Sequence, residues 1–264
     1  MLSFLPPKPL LAMLHAPPLP GSPRYDGDFA AVQAAVLRDA ETLAAGSVDG
    51  LILENFGDVP FFPHRMPAAT IAAMTVLAAE IRRRIPLPLG VNVLRNDGQA
   101  ALAVAAAVGA EFIRVNVLCG ARVTDQGIVE GIAHSLLRRR AALRAERVRI
   151  LADVDVKHSA SLANRPIEEE AEETLHRGGA DALIVSGRAT GHAADPRQVL
   201  AVKLAAGEAP VLVGSGVTAE TVAECLAAAD GAVVGTWLKR DGRVENPVDP
   251  VRVETFVRAA RGRT

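Results

Sequence analysis

Asp153, Asp155 and Lys157 alternate with Val154 and Val156 in the run Ile150-Leu-Ala-Asp-Val-Asp-Val-Lys-His158. The run is too apolar at its start, and too rich in valine, for an ordinary surface loop. As a strand it alternates with period two, which puts the three charged groups on one face. Burying them is costly unless they pair, hydrogen-bond or meet a ligand. Two roles fit: an internal ion cluster that sets strand register, or an acid/base constellation at a strand end. Asp155 would lie roughly 7 Å from Lys157 along that face, at a strand rise of about 3.3 Å per residue. Its charge would keep Lys157 protonated, which argues against a free nucleophilic amine. General acid or electrostatic clamp is then the role for Lys157, with Asp155 as base or orienter. Asp153 sits deeper, and Arg114 on the preceding strand has the parity to pair with it.

Further polar residues ask for a common position. His15, Glu54-Asn55, Asn92, Asn116 and Ser186-Gly187-Arg188, followed by Gly191-His192, each close a short aliphatic run. Strands are expected at 10–16, 50–55, 87–94, 112–118, 148–158, 182–187, 210–216 and 231–237. Alanine-rich amphipathic helices are expected at 28–45, 67–85, 98–108, 126–147, 166–177, 196–206, 218–228 and 250–261. Gly109, Gly178-Gly179 and Gly231 punctuate helix ends, and Pro67, Pro166, Pro196 and Pro250 suit first-turn positions. Eight strand–helix units in one series predict a single α/β domain over 1–264, a (β/α)₈ TIM barrel, with 1–9 as a short N-terminal extension. An open doubly wound sheet would want a glycine-rich fingerprint after its first strand, where the chain has His15-Ala-Pro-Pro-Leu-Pro-Gly21. In a barrel the polar residues gather at the C-terminal strand ends, where catalytic groups belong. His15, Glu54, Asn92, Asn116, Asp153, Asp155 and Lys157 are therefore the candidate catalytic set.

The last two strands suggest a different chemistry. Gly214-Ser215-Gly216, followed by a helix opening near Thr218, and Gly235-Thr236 are glycine-bearing turns whose backbone N–H groups could converge on a phosphate dianion. Ser186 and Gly187 join them as candidate phosphate contacts. A tight βα turn also wants glycine, but two such turns after the last two strands match the usual barrel phosphate site. His15 and Glu54, with an aspartate, offer an alternative as divalent-metal ligands, although the first strand lacks a His-x-His pair. No other cofactor is indicated. Cys119 reads as a small packing residue. Phe56, Phe61 and Phe62 suit a lid or the contact of a homo-oligomer.

The 264 residues are half apolar, with 29 Lys plus Arg against 30 Asp plus Glu. That balance gives no broad drive toward nucleic acid or an anionic membrane surface. The runs at Arg82-Arg83-Arg84 and Arg138-Arg139-Arg140 read as solvated helix ends. Two cysteines make neither a disulfide framework nor a CxxC zinc site. No apolar segment is long enough to span a bilayer, and Pro6, Pro7, Lys8 and Pro9 interrupt the apolar start. A cytoplasmic protein is expected.

The ordered motifs resemble the BtpA/SgcQ family of barrel proteins. They are Leu14-His-Ala-Pro-Pro-Leu-Pro-Gly-Ser22, Gly50-Leu-Ile-Leu-Glu-Asn-Phe-Gly-Asp58, Ile113-Arg-Val-Asn-Val117 and Gly120-Ala-Arg-Val-Thr-Asp-Gln-Gly127. The series continues through Asp153 to His158, Ser186 to Gly191 and Gly214-Ser-Gly216, covering almost the whole chain. The resemblance implies a TIM-type barrel related to phosphate-binding barrels. For function it implies either an enzyme of sugar metabolism or a part in stabilising the photosystem I complex. Taken with the candidate residues, the leading expectation is an enzyme of a small phosphorylated metabolite, a phosphosugar or nucleotide-like compound, with isomerase, lyase or hydrolase chemistry. The alternative is a non-catalytic assembly factor of the photosystem I type that uses the barrel as a scaffold. Asp155-x-Lys157 is also similar to a pairing in orotidine-monophosphate-decarboxylase-like barrels, but those carry another aspartate where this chain has Ala160.

Overall fold

Short β-rich runs that alternate with alanine-rich helices leave one economical solution, a parallel sheet closed on itself and sheathed in helices. The computed structural model describes residues 2–163, 165–187 and 192–262, so Arg188 and Gly191 lie outside the described residues. In chain order the strands are β1 (Leu10–His15), β2 (Gly50–Glu54), β3 (Leu89–Asn92), β4 (Phe112–Val115), β5 (Ala121–Thr124) and β6 (Gly127–Glu130). They continue with β7 (Arg149–Val154), β8 (Ser159–Ser161), β9 (Ala182–Ser186), β10 (Val211–Gly214) and β11 (Gly231–Val234). The helices are α1 (Phe29–Ala45), α2 (Ala68–Arg84), α3 (Gly98–Val108) and α4 (Ala133–Ala142), then α5 (Ile167–His176), α6 (Pro196–Ala206), α7 (Val222–Ala228) and α8 (Pro250–Ala260).

Strands β1, β2, β3, β4, β7, β9, β10 and β11 pair in that order, all parallel, and β11 returns to β1 to close the barrel. Each strand turns one set of aliphatic side chains out toward the helices; Leu10, Leu53, Ile113, Val154 and Val185 belong to that large core. The inward set is smaller and graded. Leu11, Met13, Ile52, Phe112, Leu151, Ile184 and Leu212 fill the lower barrel. Leu2, Phe4 and Leu5 close its floor, with the Phe4 ring stacked 5.8 Å from that of Phe112. Gly90 on β3 makes room for Phe112, because a Cβ there would stand 2.2 Å from Cε2 of that ring. Above this floor the inward positions turn polar, which is the asymmetry the sequence predicts.

Several element bounds differ from expectation. The helix expected over 126–147 begins only at Ala133, and β5 and β6 occupy the first part as an antiparallel hairpin, extended by β8. Gly127 takes φ +96°, which lets the chain reverse there. Beyond it Ile128 is exposed, Val129 buried and Glu130 exposed, a strand alternation. Val129 packs with Val117 and Val156. The strand expected over 148–158 ends at Val154, because Asp155 adopts φ +52° and His158 φ +56°, which breaks the extended chain. Helix α7 is also shorter than expected. Pro196 and Pro250 open their helices, while Pro67 and Pro166 stand one residue earlier, as N-caps.

Candidate functional site

The mouth of the barrel begins with three strand ends. Asn92 Nδ2 donates to Glu54 Oε2 at 2.6 Å, and His15 Nε2 lies 3.8 Å from Glu54 Oε1. The His15 ring packs against Phe56 at 4.9 Å, and Phe61 backs Phe56 at 6.5 Å, while Phe62 is half exposed. Gly235 allows the end of β11 to press on the imidazole, since a Cβ there would come within 2.7 Å of Cε1. Among the described residues His15 Nδ1 is buried with no hydrogen-bond partner. Burial, and then the positive charges of Lys239, Lys157 and Arg114, hold the imidazole pKa well below its ordinary value. His15 is therefore neutral near pH 7, suited to hydrogen bonding or proton transfer.

Asp153 is saturated. It accepts Arg114 Nε at 3.0 Å and Nη2 at 2.8 Å, Asn116 Nδ2 at 2.7 Å and Ser186 Oγ at 3.3 Å. A carboxylate so engaged orients its donors and is poorly placed to act as a free base. Its main effect is to hold the Arg114 guanidinium at the cavity wall. Asn116 Oδ1 is left buried with no donor among the described residues. This cluster agrees with the pairing expected of Asp153 and Arg114.

Asp155 and Lys157 do not act as a pair. The turn at Asp155 swings its carboxylate out of the barrel onto Arg122, which also holds Glu170 at 3.2 Å and donates from Nε to Ser159 Oγ at 2.7 Å. The backbone N–H of Asp155 donates to Glu170 at 3.1 Å. These contacts tie β5 and β8 to α5, so Asp155 anchors the loop from outside. Lys157 instead folds back into the mouth and lines the cavity shared by His15 and Arg114. Arg95 Nη2 donates to the Lys157 carbonyl at 2.7 Å. Burial lowers the Lys157 pKa, and Arg114 and Arg95 lower it further, against the opposing pull of Glu54 and Asp153. The expectation that Asp155 shares a face with Lys157, as its base or orienter, is thus corrected, because a strand-long period-two face never forms.

The glycine turns divide in the same way. Ser215, Gly216, Gly235 and Thr236 line the cavity beside His15, Arg114 and Lys157, in a cleft of about 740 Å³ including its open mouth. Ser186 is engaged by Asp153, and a Cβ on Gly187 would meet the His192 carbonyl oxygen at 2.0 Å. A Cβ on Gly214 would touch Ile184 at 2.8 Å, so Gly187 and Gly214 serve packing. Gly216 has both constraints: it lines the cavity, yet a Cβ would stand 2.2 Å from Ala193 N. Cys119 packs outside the barrel against Gly178.

Two arginines were missed. Arg252 in the first turn of α8 reaches the cavity between the β10 and β11 turns, where Nε donates to the Trp237 carbonyl at 2.5 Å and the guanidinium stacks 4.5 Å from the indole. A cation in a helix's first turn opposes the helix dipole, and that anomaly was the available signal. Arg95, in the loop after β3, is buried with its Nε lacking a partner among the described residues. Nothing in its local sequence marks it. With Arg114 and Lys157 it outnumbers Glu54 and Asp153 at the mouth, so the site favours an anion. Among the described residues no cluster of three His, Cys, Asp or Glu could hold a metal ion, and no helix is long and apolar enough to cross a membrane.

A closed eight-stranded parallel barrel with its polar cleft at the C-terminal strand ends defines the protein as a TIM barrel. Its fold is similar to that of N-(5'-phosphoribosyl)anthranilate isomerase from Pyrococcus furiosus, with TM-score 0.58 and 17% identity over 97% of this chain and 99% of that one. It is likewise similar to orotidine 5'-phosphate decarboxylase from Pyrococcus horikoshii, with TM-score 0.60 and 11% identity over 96% and 99%. At such identities the likeness carries the fold alone. The family model of the BtpA family matches residues 6–262, and the chain belongs to that family. It is 43% identical over 251 residues to the photosystem I biogenesis protein BtpA of Synechocystis, spanning 95% of this chain and 87% of that one. An uncharacterized protein of Thermococcus kodakarensis is 50% identical over 254 residues, spanning 96% and 95%.

Proposed function

We propose that the barrel is an enzyme acting on a small phosphorylated metabolite by proton transfer, of isomerase, lyase or hydrolase type. One observation carries the reading: a single cleft joins the turns after β10 and β11, with Arg252, to His15, Arg114 and Lys157. The first group suits a phosphate and the second suits polarising and protonating the rest of the ligand. The excess of cations at the mouth supports an anionic substrate. Glu54, oriented by Asn92 and close to His15, is the carboxyl best placed to move a proton. Asp153 and Asn116 position Arg114, and Asp155 serves the loop.

Thermal denaturation with millimolar phosphate or phosphorylated sugars tests this reading. Ligand bound only by the native state stabilises by RT ln(1 + [L]/Kd), about 2.7 kcal/mol at a hundredfold excess, which should raise Tm by several degrees. Arg252→Gln, compared with its own unliganded Tm, should lose most of that rise. Gly216→Val is a poor probe, because its side chain would collide with the chain at His192 and Ala193 whatever the ligand. Equal protection of wild type and Arg252→Gln, or none, would sink the phosphate reading. A second reading, an assembly factor that keeps the barrel as a scaffold, draws on the name of the Synechocystis relative. Such a factor should bind a protein partner unchanged in Lys157→Ala, whereas the enzyme should lose turnover.

A further inference from the structure

The chain carries four lysines against 25 arginines, and three of the four are engaged. Lys8 donates to the Leu226 carbonyl, Lys203 pairs with Asp230 at 2.6 Å, and Lys239 pairs with Asp39 at 2.6 Å. Lys157 is the exception. Its ammonium makes no hydrogen bond or ion pair among the described residues, although it sits deep in the mouth and lines the cleft. The neighbouring cations, Arg95 and Arg114, are arginines, which stay charged. Lysine is the basic side chain whose nitrogen can shed a proton and attack carbon. The sequence argues against a nucleophilic amine on the ground that Asp155 would hold the proton on Lys157. That ground is gone, since Asp155 is bound to Arg122 outside the barrel. The charges that act most on Lys157 are Glu54 and Asp153, which favour its charged form, and Arg114 and Arg95, which oppose it. Asp153 is already bound by Arg114, Asn116 and Ser186.

We propose that Lys157 Nζ forms an imine with the carbonyl carbon of a phosphorylated aldehyde or ketone, whose phosphate rests against the β10 and β11 turns and Arg252. This rests on the phosphate-site reading above and narrows its substrate to carbonyl compounds. The neutral amine attacks the carbonyl carbon, and the C–N bond forms as the C=O π pair moves to oxygen, which takes up a proton. The nitrogen gives up a proton, and the hydroxyl leaves as water after a second protonation, its place taken by a C=N⁺ bond. That iminium then accepts the electron pair of an adjacent C–H or C–C bond. In C–H cleavage a base takes the proton and the resulting enamine is reprotonated at carbon. In C–C cleavage that base takes the fragment's hydroxyl proton as its C=O forms, the fragment leaves as an aldehyde or ketone, and the enamine carbon takes up a proton. Water then adds to the iminium carbon and the C–N bond breaks, releasing the carbonyl product and the free amine. No oxidant or reductant is consumed. Glu54 is the carboxyl whose charge acts on Lys157 and which adjoins His15, so it is placed to exchange these protons.

Borohydride reduction of the full chain incubated with dihydroxyacetone phosphate or glyceraldehyde 3-phosphate, read by intact mass and peptide mapping, tests the proposal. The expected result is one adduct per chain, on the peptide bearing Lys157, absent in Lys157→Arg and retained in Lys203→Arg. Unphosphorylated glyceraldehyde should give roughly tenfold less or lower still, for want of the phosphate anchor. The wild-type peptide map decides the matter even if Lys157→Arg fails to fold. Tm measured with the same ligands separates the two readings. A raised Tm with no adduct, or with adduct on other lysines, would overturn the imine alone. No rise in Tm and no adduct would overturn the phosphate site and the imine together.

Discussion

Asp153 and Arg114 show how a charge can be buried in the mouth of a barrel without being the reacting group. Both are almost wholly buried, and the arginine binds the carboxylate through two nitrogens. Removing one partner leaves the other uncompensated. Asp153→Asn should cost about 3–5 kcal/mol in denaturant unfolding, and the double change Arg114→Met with Asp153→Leu should recover most of it. A double variant as unstable as the worse single one would mean that the pair is not a closed unit. Asp155 and Lys157 should instead be independent. Asp155→Asn and Lys157→Met should add within about 0.3–0.5 kcal/mol, since they share no partner. A larger coupling would restore the pairing read from the sequence.

His15 supplies a pH signature. Its folded-state pKa lies below its ordinary 6.5, chiefly through burial. Below that value the unfolded chain takes up a proton that the native imidazole refuses. The unfolded state then binds more protons, so stability is full above about pH 6.5 and falls as the pH drops toward the folded pKa. Tm profiles of wild type and His15→Gln should therefore converge or cross on the acid side; parallel profiles would show that His15 titrates alike in both states. At this scale the sequence was partly legible. Strand parity found Arg114 against Asp153 because both stay on regular strands. It missed the fate of Asp155 because one residue with positive φ reverses every inference of facing beyond it.

Among the elements, strand ends were legible and the connections less so. The barrel strands announce themselves by aliphatic runs that close on a polar residue, as at Leu14-His15 and Leu53-Glu54. The β5–β6 hairpin did not, because Gly127-Ile-Val-Glu130 is continuous with a sequence that also suits the start of a helix. Only the pairing of Val123 with Ile128, and the burial of Val129 on the far side, distinguish the two. A glycine inside a strand marked close packing that sequence could not assign. Gly90→Ala should force Phe112 aside and destabilise by about 1–3 kcal/mol, with Phe112→Leu in the same chain relieving most of the cost. Unchanged stability of the single variant would mean that the ring has room to move.

For the molecule as a whole, order along the chain was enough for the fold, since eight strand–helix units with one-ended polarity close in only one common way. The cleft is lined by residues brought together from distant turns. Arg252 on the last helix and Arg95 after β3 meet the strand-end groups through closure of the barrel, which no local spacing encodes. On the proposed function, one cleft holds the phosphate at the β10 and β11 turns and the rest of the ligand beside Lys157. A crystal structure of the full chain with dihydroxyacetone phosphate measures this most directly. The phosphate oxygens should lie about 3 Å from Arg252 and from the turns at Ser215–Gly216 and Gly235–Thr236, with the carbonyl carbon facing Lys157 Nζ. A ligand held elsewhere, for example by Arg122 and Arg165 outside the barrel, with the mouth empty, would rule out this placement.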